Sequence, residues 1–331
     1  MAGIRRRQIV IGAGALLAAS LARTWADVVH RVVFVHNIRP AEPWTILESF
    51  RAEMQKFGHV HGRNLQIEVL VCERDLSNLG AVVDDAIARR PDVLLAFEPI
   101  AQVMRAKTQT IPIVLTGAFD PVKAGLAHSL RQPGMNVTGM TQLNDQLPAK
   151  HLEILREIYP RLERVGQLLD ESASGCKITE ANTVRAVRSS GLAYVPYHVS
   201  DGASIRRAFE EMQGRPANVL MTCPSAVLYS YRDLLFESVL RQRIPLTSYI
   251  SHSVPRGVLF AYGTNLHHIY RRLAVYVDRI LRGAKPGDLP IEQPTVFELV
   301  VNLDTAKDLG LTVPQSVLVR ADRIVGPGGG E

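Results

Sequence analysis

From residue 31 to residue 115 the sequence alternates short continuous apolar runs with stretches whose apolar positions recur every three or four residues. Residues 31–35, 64–71, 92–97 and 111–115 read as strands. Residues 44–57, 79–89 and 100–107 read as helices, the first closed by Gly58 and the second ended by Pro91. Unbroken apolar strands alternating with amphipathic helices predict a parallel sheet covered on both faces. The pattern then starts again, with strands at 164–169, 193–197, 218–222 and 244–247 and helices at 179–190, 204–213 and 227–241. The interval from Val32 to Val165 equals that from Ile111 to Ile244. The run DVLLAFEP at 92–99 has a counterpart, NVLMTCP, at 218–224.

The expected fold is therefore α/β, with two similar doubly wound parallel-sheet lobes joined by a multi-strand hinge. Residues 133–139, with turn chemistry at both ends, separate the halves. Residues 253–263 return the chain to the first lobe, an amphipathic helix spans 267–282, and residues 297–302 offer a third crossing. The first lobe takes residues 27–139 with about 263–296, and the second takes 140–262 with about 297–331.

Composition narrows the picture. A chain of 331 residues that is 47% hydrophobic can bury the cores of two domains. Cys72, Cys176 and Cys223 are few, widely spaced and odd in number. They do not make a disulfide scaffold and read as buried thiols, with Cys223 at a strand end able to face a ligand. Residues 1–26 read as an export signal: Arg5, Arg6 and Arg7, an apolar stretch at 9–21, then Thr24, Trp25 and Ala26 as a cleavage site. Twin-arginine and Sec export both remain open, as does an uncleaved anchor, while no cysteine follows to carry a lipid. A glycine-rich run at 12–18 looks like a dinucleotide fingerprint, but it has no strand before it. The signal holds Arg5, Arg6, Arg7 and Arg23 and no acid. Without it the 38 Lys and Arg fall to 34 against 32 acids, a net +2, and the charge gives no reason to expect a nucleic-acid partner.

The C-terminal third carries an ordered block: YRRLAVYVDRILRGAKP at 270–286, DLPIEQPT at 288–295, FELVVNL at 297–303, LGLTVP at 309–314 and RAD at 320–322. A second block runs IPIV at 111–114, DPV at 120–122, and PG at 133–134 through NVTG at 136–139. Together they resemble the ABC-transporter substrate-binding proteins grouped with tryptophan- and tyrosine-binding periplasmic proteins. The resemblance spans most of residues 31–325. It implies a type I periplasmic-binding-protein fold, a monomer in the periplasm that captures a small-molecule solute, and delivery to permease and ATPase subunits of an importer. It implies no cofactor.

In open α/β sheets ligands sit beyond the carboxyl ends of the strands. In the first lobe that rule selects Asn37 and the following Trp44, then Glu98, and the stretch from Thr116 to Asp120. In the second it selects Glu171, Ser172, Cys223, Ser225 and Tyr249. Trp44 either stacks on a flat ligand or packs its helix. Asp120, ahead of Pro121, is a ligand contact or a helix cap. Two departures from the resembled family stand out. Phe97-Glu98-Pro99 occupies the place of a Gly-Thr-Pro turn, so Glu98 meets a cationic ligand group, fills this end of the cleft, or is a solvated cap. The segment 248–253 lacks the arginine common there, which argues against a free amino acid as ligand. His59, His61, His267 and His268 lack metal-ligand spacing, and no nucleophile elbow, phosphate loop or metalloprotease motif is found. The expected protein is a binding protein, not an enzyme, and holds no metal. The alternative is an exported ligand sensor docking on a membrane receptor.

Overall fold

The structure, a computed structural model, describes residues 29–37, 45–73, 76–142, 147–171, 173–214, 217–223, 225–251 and 254–326. The first half comprises β1 (His30–His36), α1 (Thr45–Lys56), β2 (Leu65–Val71), α2 (Leu79–Ala88), β3 (Val93–Phe97), α3 (Glu98–Lys107), β4 (Ile113–Gly117) and β5 (Val137–Gly139). Its strands pair in parallel in the order β2-β1-β3-β4-β5. Residues 32–35 of β1 and 93–96 of β3 are at most 1% exposed. Helices cover both faces of this sheet, so the central strands are apolar throughout instead of alternating.

The second half comprises α4 (Leu147–Ile158), β6 (Arg164–Asp170), α5 (Ser174–Ser189), β7 (Ala193–Val199), α6 (Gly202–Gly214), β8 (Val219–Met221), α7 (Ala226–Ser230), α8 (Arg232–Gln242), β9 (Leu246–Ser248) and β10 (Val258–Thr264). After it come α9 (Leu266–Leu281), β11 (Phe297–Asn302), α10 (Leu303–Leu309), α11 (Gln315–Leu318) and β12 (Arg323–Val325). The second sheet runs β12-β11-β10-β9-β8-β6-β7, with only the β10–β11 pair antiparallel. Within it, β7-β6-β8-β9-β10 repeats the order of the first sheet. Val32 pairs with Ile67 and Val93, and its counterpart Val165 pairs with Tyr194 and Val219. The repeated interval in the sequence thus marks equivalent points of two like sheets.

Helix α9 follows β10 of the second sheet in sequence but packs on the first. Its apolar face of Ile269, Tyr270, Leu273, Val277 and Ile280 joins Phe34 and Phe50 in one core. The Phe34 ring meets Phe50 edge-on at 5.1 Å and stacks on Tyr270 at 6.1 Å. The helix starts where the Asn265 side chain accepts the N–H of His268 at 2.8 Å.

The connections between lobes differ from the expected ones. Residues 258–264 do not return to the first lobe. They form β10 inside the second sheet, and 297–302 form β11 antiparallel beside it instead of a crossing. The chain crosses after β5, again at Asn265 between β10 and α9, and a third time ahead of β11. Two of these passages lie side by side: the N–H of Thr141 donates to the Glu292 carbonyl at 2.8 Å, and that of Glu292 to the Gly139 carbonyl at 2.9 Å. Gly139, with φ of 126°, is needed here, since a Cβ would fall 2.5 Å from the main chain of Leu115. The segment 133–139, expected to be only a joint, ends in β5, a short edge strand. The expected helix 227–241 is broken at Tyr231 into α7 and α8.

Candidate functional site

The carboxyl ends of β1, β3 and β4 lie in one lobe and those of β6, β8 and β9 in the other. Glu98 follows β3 directly and opens α3, with Pro99 in the first turn. It is not a solvated cap, being 5% exposed. Its Oε2 accepts the N–H of Phe119 at 2.6 Å and that of Asp120 at 3.2 Å. The carboxylate therefore ties the end of β3 to the loop after β4. Charged acceptors of buried N–H groups are worth more than neutral ones, about 1.5–3 kcal/mol each. Glu98→Thr is expected to lower unfolding stability by about 2 kcal/mol in urea titration, and an unchanged midpoint would deny the carboxylate this role.

Asp120 acts as a cap, though of a hydrogen-bonded turn over 121–125 and not of a helix. Its Oδ1 accepts the N–H of Lys123 at 3.0 Å and its Oδ2 pairs with the Lys123 ammonium at 2.9 Å. Partial burial opposes ionisation, but these contacts from Lys123 outweigh it and hold the Asp120 carboxyl below the usual range. Thr116, on β4, and Asn37, just past β1, are half-buried. Trp44 and Ser172 lie outside the described residues.

In the second lobe, Ser225 caps α7, accepting the N–H of Leu228 at 3.1 Å, and donates its hydroxyl to Asp170 Oδ2 at 2.7 Å. Asp170, the last residue of β6, is 2% exposed, so the ends of β6 and β8 are linked through this bond. Glu171 is turned to solvent and pairs with His198 at 3.0 Å. Tyr249 lays its ring on His151, 4.5 Å between centroids, and buries its hydroxyl near Thr183. Burial pushes the Tyr249 phenol up. Cys223 corrects the expectation of a thiol facing a ligand: it is disulfide-bonded to Cys176, and both residues are at most 3% exposed. The two lie 47 residues apart in sequence, and the bond joins the first turn of α5 to the end of β8. Cys72 is the free buried thiol.

The lobes touch at Phe119, inside the stretch 116–120 picked out after β4, and at Gly175, which the strand ends do not select. Phe119, just past β4 and 6% exposed, sets its ring against Gly175 in the first turn of α5. The same ring meets Phe97 edge-on at 5.5 Å. A second unexpected residue is His151 in α4, a helix the periodicity does not mark. It is fully buried, with Nε2 2.7 Å from the Tyr262 carbonyl and Nδ1 3.1 Å from the Thr247 hydroxyl. The carbonyl can only accept, so Nε2 carries the proton and Nδ1 accepts from Thr247.

The histidines of the expected non-metal set have other partners: His59 binds Asp278 at 2.9 Å, His61 accepts the N–H of Ile67, and His267 bonds Ser49. Among the described residues no group of three or more His, Cys, Asp or Glu side chains is placed to hold a metal ion. A cavity of about 450 Å³ lies at the hinge, lined by Met140, His268, Arg272, Glu292, Gln293 and Thr295, with Arg272 and Glu292 paired across it.

A family model described as ABC transporter substrate binding protein matches residues 44–325. The tyrosine-binding protein of Clostridioides difficile strain R20291 is 24% identical over 266 residues, which are 80% of this chain and 76% of that protein. Among solved structures, an ABC domain from Streptococcus pneumoniae in complex with L-Trp superposes with a TM-score of 0.82 at 20% identity, covering 90% of this chain and 100% of that one. A conserved domain protein of Vibrio cholerae superposes at 0.80 with 24% identity, covering 89% and 99%. The fold is the type I periplasmic-binding-protein fold.

Proposed function

The chain belongs to the ABC transporter substrate-binding protein family, and we propose that its solute is a small aromatic or amino-acid-like molecule, bound between the lobes and released to the permease of an ABC importer. The observation that carries this is the pair of like parallel sheets, in contact just beyond their carboxyl ends through Phe119 and Gly175. A relative named for binding tyrosine and a structural neighbour holding L-Trp supply the solute class, against the expectation drawn from the missing arginine in 248–253. The family match favours an importer component over a receptor-docking sensor, and a binding role over catalysis.

The lobes in this reading are residues 27–139 with about 265–296, and 140–264 with about 297–331, in a monomer. Solute contacts come from Asn37, Trp44 and Thr116 on one side and Glu171, Ser172 and Tyr249 on the other. Glu98, Asp120 and Ser225 hold the loops that carry them, and the Cys176–Cys223 bond holds the second wall. Export to the periplasm, with cleavage near Ala26, accords with the family's usual location and with a buried disulfide, which persists in oxidising compartments. No helix among the described residues is long and apolar enough to cross a membrane.

A thermal-shift screen of residues 27–331 tests the solute class. Its panel holds aromatic and other amino acids, purines, sugars, amines and small aromatic acids. Ligand at about 100 times its dissociation constant adds roughly 2.7 kcal/mol, a rise of several degrees. The expected hit is an aromatic amino acid or a close analogue. A hit confined to sugars or purines would overturn the solute class.

A further inference from the structure

The contact between the lobes has an unusual chemistry. A Cβ built on Gly175 would lie 2.3 Å from both Cε2 and Cζ of Phe119 and 2.8 Å from its Cδ2. The ring therefore fills the place where a side chain at 175 would stand. The backbone does not ask for glycine there: Gly175 lies in the first turn of α5 and has no left-handed φ. In a helix alanine is favoured over glycine by about 1 kcal/mol, so what excludes a side chain is the ring across the cleft.

Both halves of the contact are held rigidly. On the first lobe, the N–H of Phe119 is fixed on Glu98 and its ring on Phe97. On the second, Cys176 next to Gly175 is stapled to Cys223, and the Thr179 hydroxyl donates to the Gly175 carbonyl at 2.7 Å. To admit a Cβ at 175 the Phe119 ring would have to swing away, giving up its edge-on contact with Phe97.

We infer that Phe119 and Gly175 are a knob and its hole, which set how far the lobes close and so determine how tightly a solute is retained. This rests on the reading that solute is held by closure of the lobes. A group that obstructs only the closed form lowers the fraction of protein competent to hold solute, and the apparent dissociation constant rises by the same factor. The open form is untouched, and alanine at 175 suits its helix better than glycine does.

Isothermal titration with L-tyrosine and L-tryptophan, on the wild type and on Gly175→Ala, Phe119→Ala and the double variant, tests this. Gly175→Ala is expected to bind about ten- to a hundredfold more weakly, the range of an overpacked contact, with an unliganded melting temperature equal to or above that of the wild type. The double variant is expected to bind within about threefold of Phe119→Ala, since the hole is no longer needed once the knob is gone. Unchanged affinity in Gly175→Ala, or a double variant more than about threefold weaker than Phe119→Ala, would overturn the inference. A ligand-independent arm separates this from the solute class: in F119C/G175C, oxidation is expected to link positions 119 and 175, read by peptide mass spectrometry. No such link overturns the knob and hole. A link in a protein that binds neither amino acid leaves the contact standing and removes the proposed solute.

Discussion

Replacing both Cys176 and Cys223 by alanine is expected to lower the unfolding free energy by about 4 kcal/mol. The bond closes a loop of 47 residues, and the entropy of leaving such a loop unclosed in the unfolded chain gives that magnitude. The melting temperature should fall by roughly 10 °C. The effect belongs to the second lobe, where the bond fixes the first turn of α5 to the end of β8, beside Gly175 and Ser225. Calorimetry of the oxidised wild type, the wild type with reductant, and the double variant checks this. Reductant should bring the wild type down to the variant and leave the variant unmoved. A variant melting with the oxidised wild type would show that the bond contributes nothing to stability.

The second large effect is a pH dependence seated on His151. The ring is enclosed by Tyr249, Phe260 and Tyr262, and burial lowers its pKa from 6.5 to about 4, against the opposing hydrogen bond to the Tyr262 carbonyl. The folded form thus binds the proton less readily than the unfolded chain. The stability it confers is fully present above pH 6.5 and is lost as pH falls through the window from 6.5 to 4. At about 1.36 kcal/mol per unit, the loss amounts to about 3 kcal/mol. Urea unfolding of the wild type and of His151→Gln across this window isolates it from the carboxylates. The glutamine amide can still donate to Tyr262 but does not titrate, so the variant's curve should be flatter by about that amount. Parallel curves for the two proteins would exclude His151 as the source.

Much of the fold can be read from the chain because the sheets are parallel and covered. Residues 32–35 and 93–96 are unbroken apolar runs since both faces of their strands are buried. The face of α9 is equally plain from the spacing of Ile269, Leu273, Val277 and Ile280. Short edge elements leave no such signal. Residues 137–139 form a strand only because β4 lies beside them, within a segment rich in turn residues. Strand β10 reads in sequence as a return to the first lobe, since the antiparallel partner that keeps it in the second sheet, β11, comes only after the whole of α9.

The candidate site can be read from the sequence as a set of strand ends, and the role of each side chain there much less so. Strand ends locate Glu98, Asp120, Ser225 and Tyr249, but what each side chain binds depends on loops brought together by folding. Glu98 reads as an acid at a helix start, and its acceptance of two N–H groups from the loop after β4 has no local signature. The pairing of Cys176 with Cys223 could not be chosen from three cysteines. Phe119 lies within the stretch picked out after β4, yet its partner Gly175 belongs to the other lobe. A contact of that kind exists only once two separately folded sheets face each other.

In the proposed function a solute is held between closing lobes. Small-angle X-ray scattering of residues 27–331, titrated with L-tyrosine and L-tryptophan, tests that most directly. The radius of gyration is expected to fall, with the change complete at one solute molecule per chain. A protein whose radius of gyration stays constant through saturating solute would contradict it.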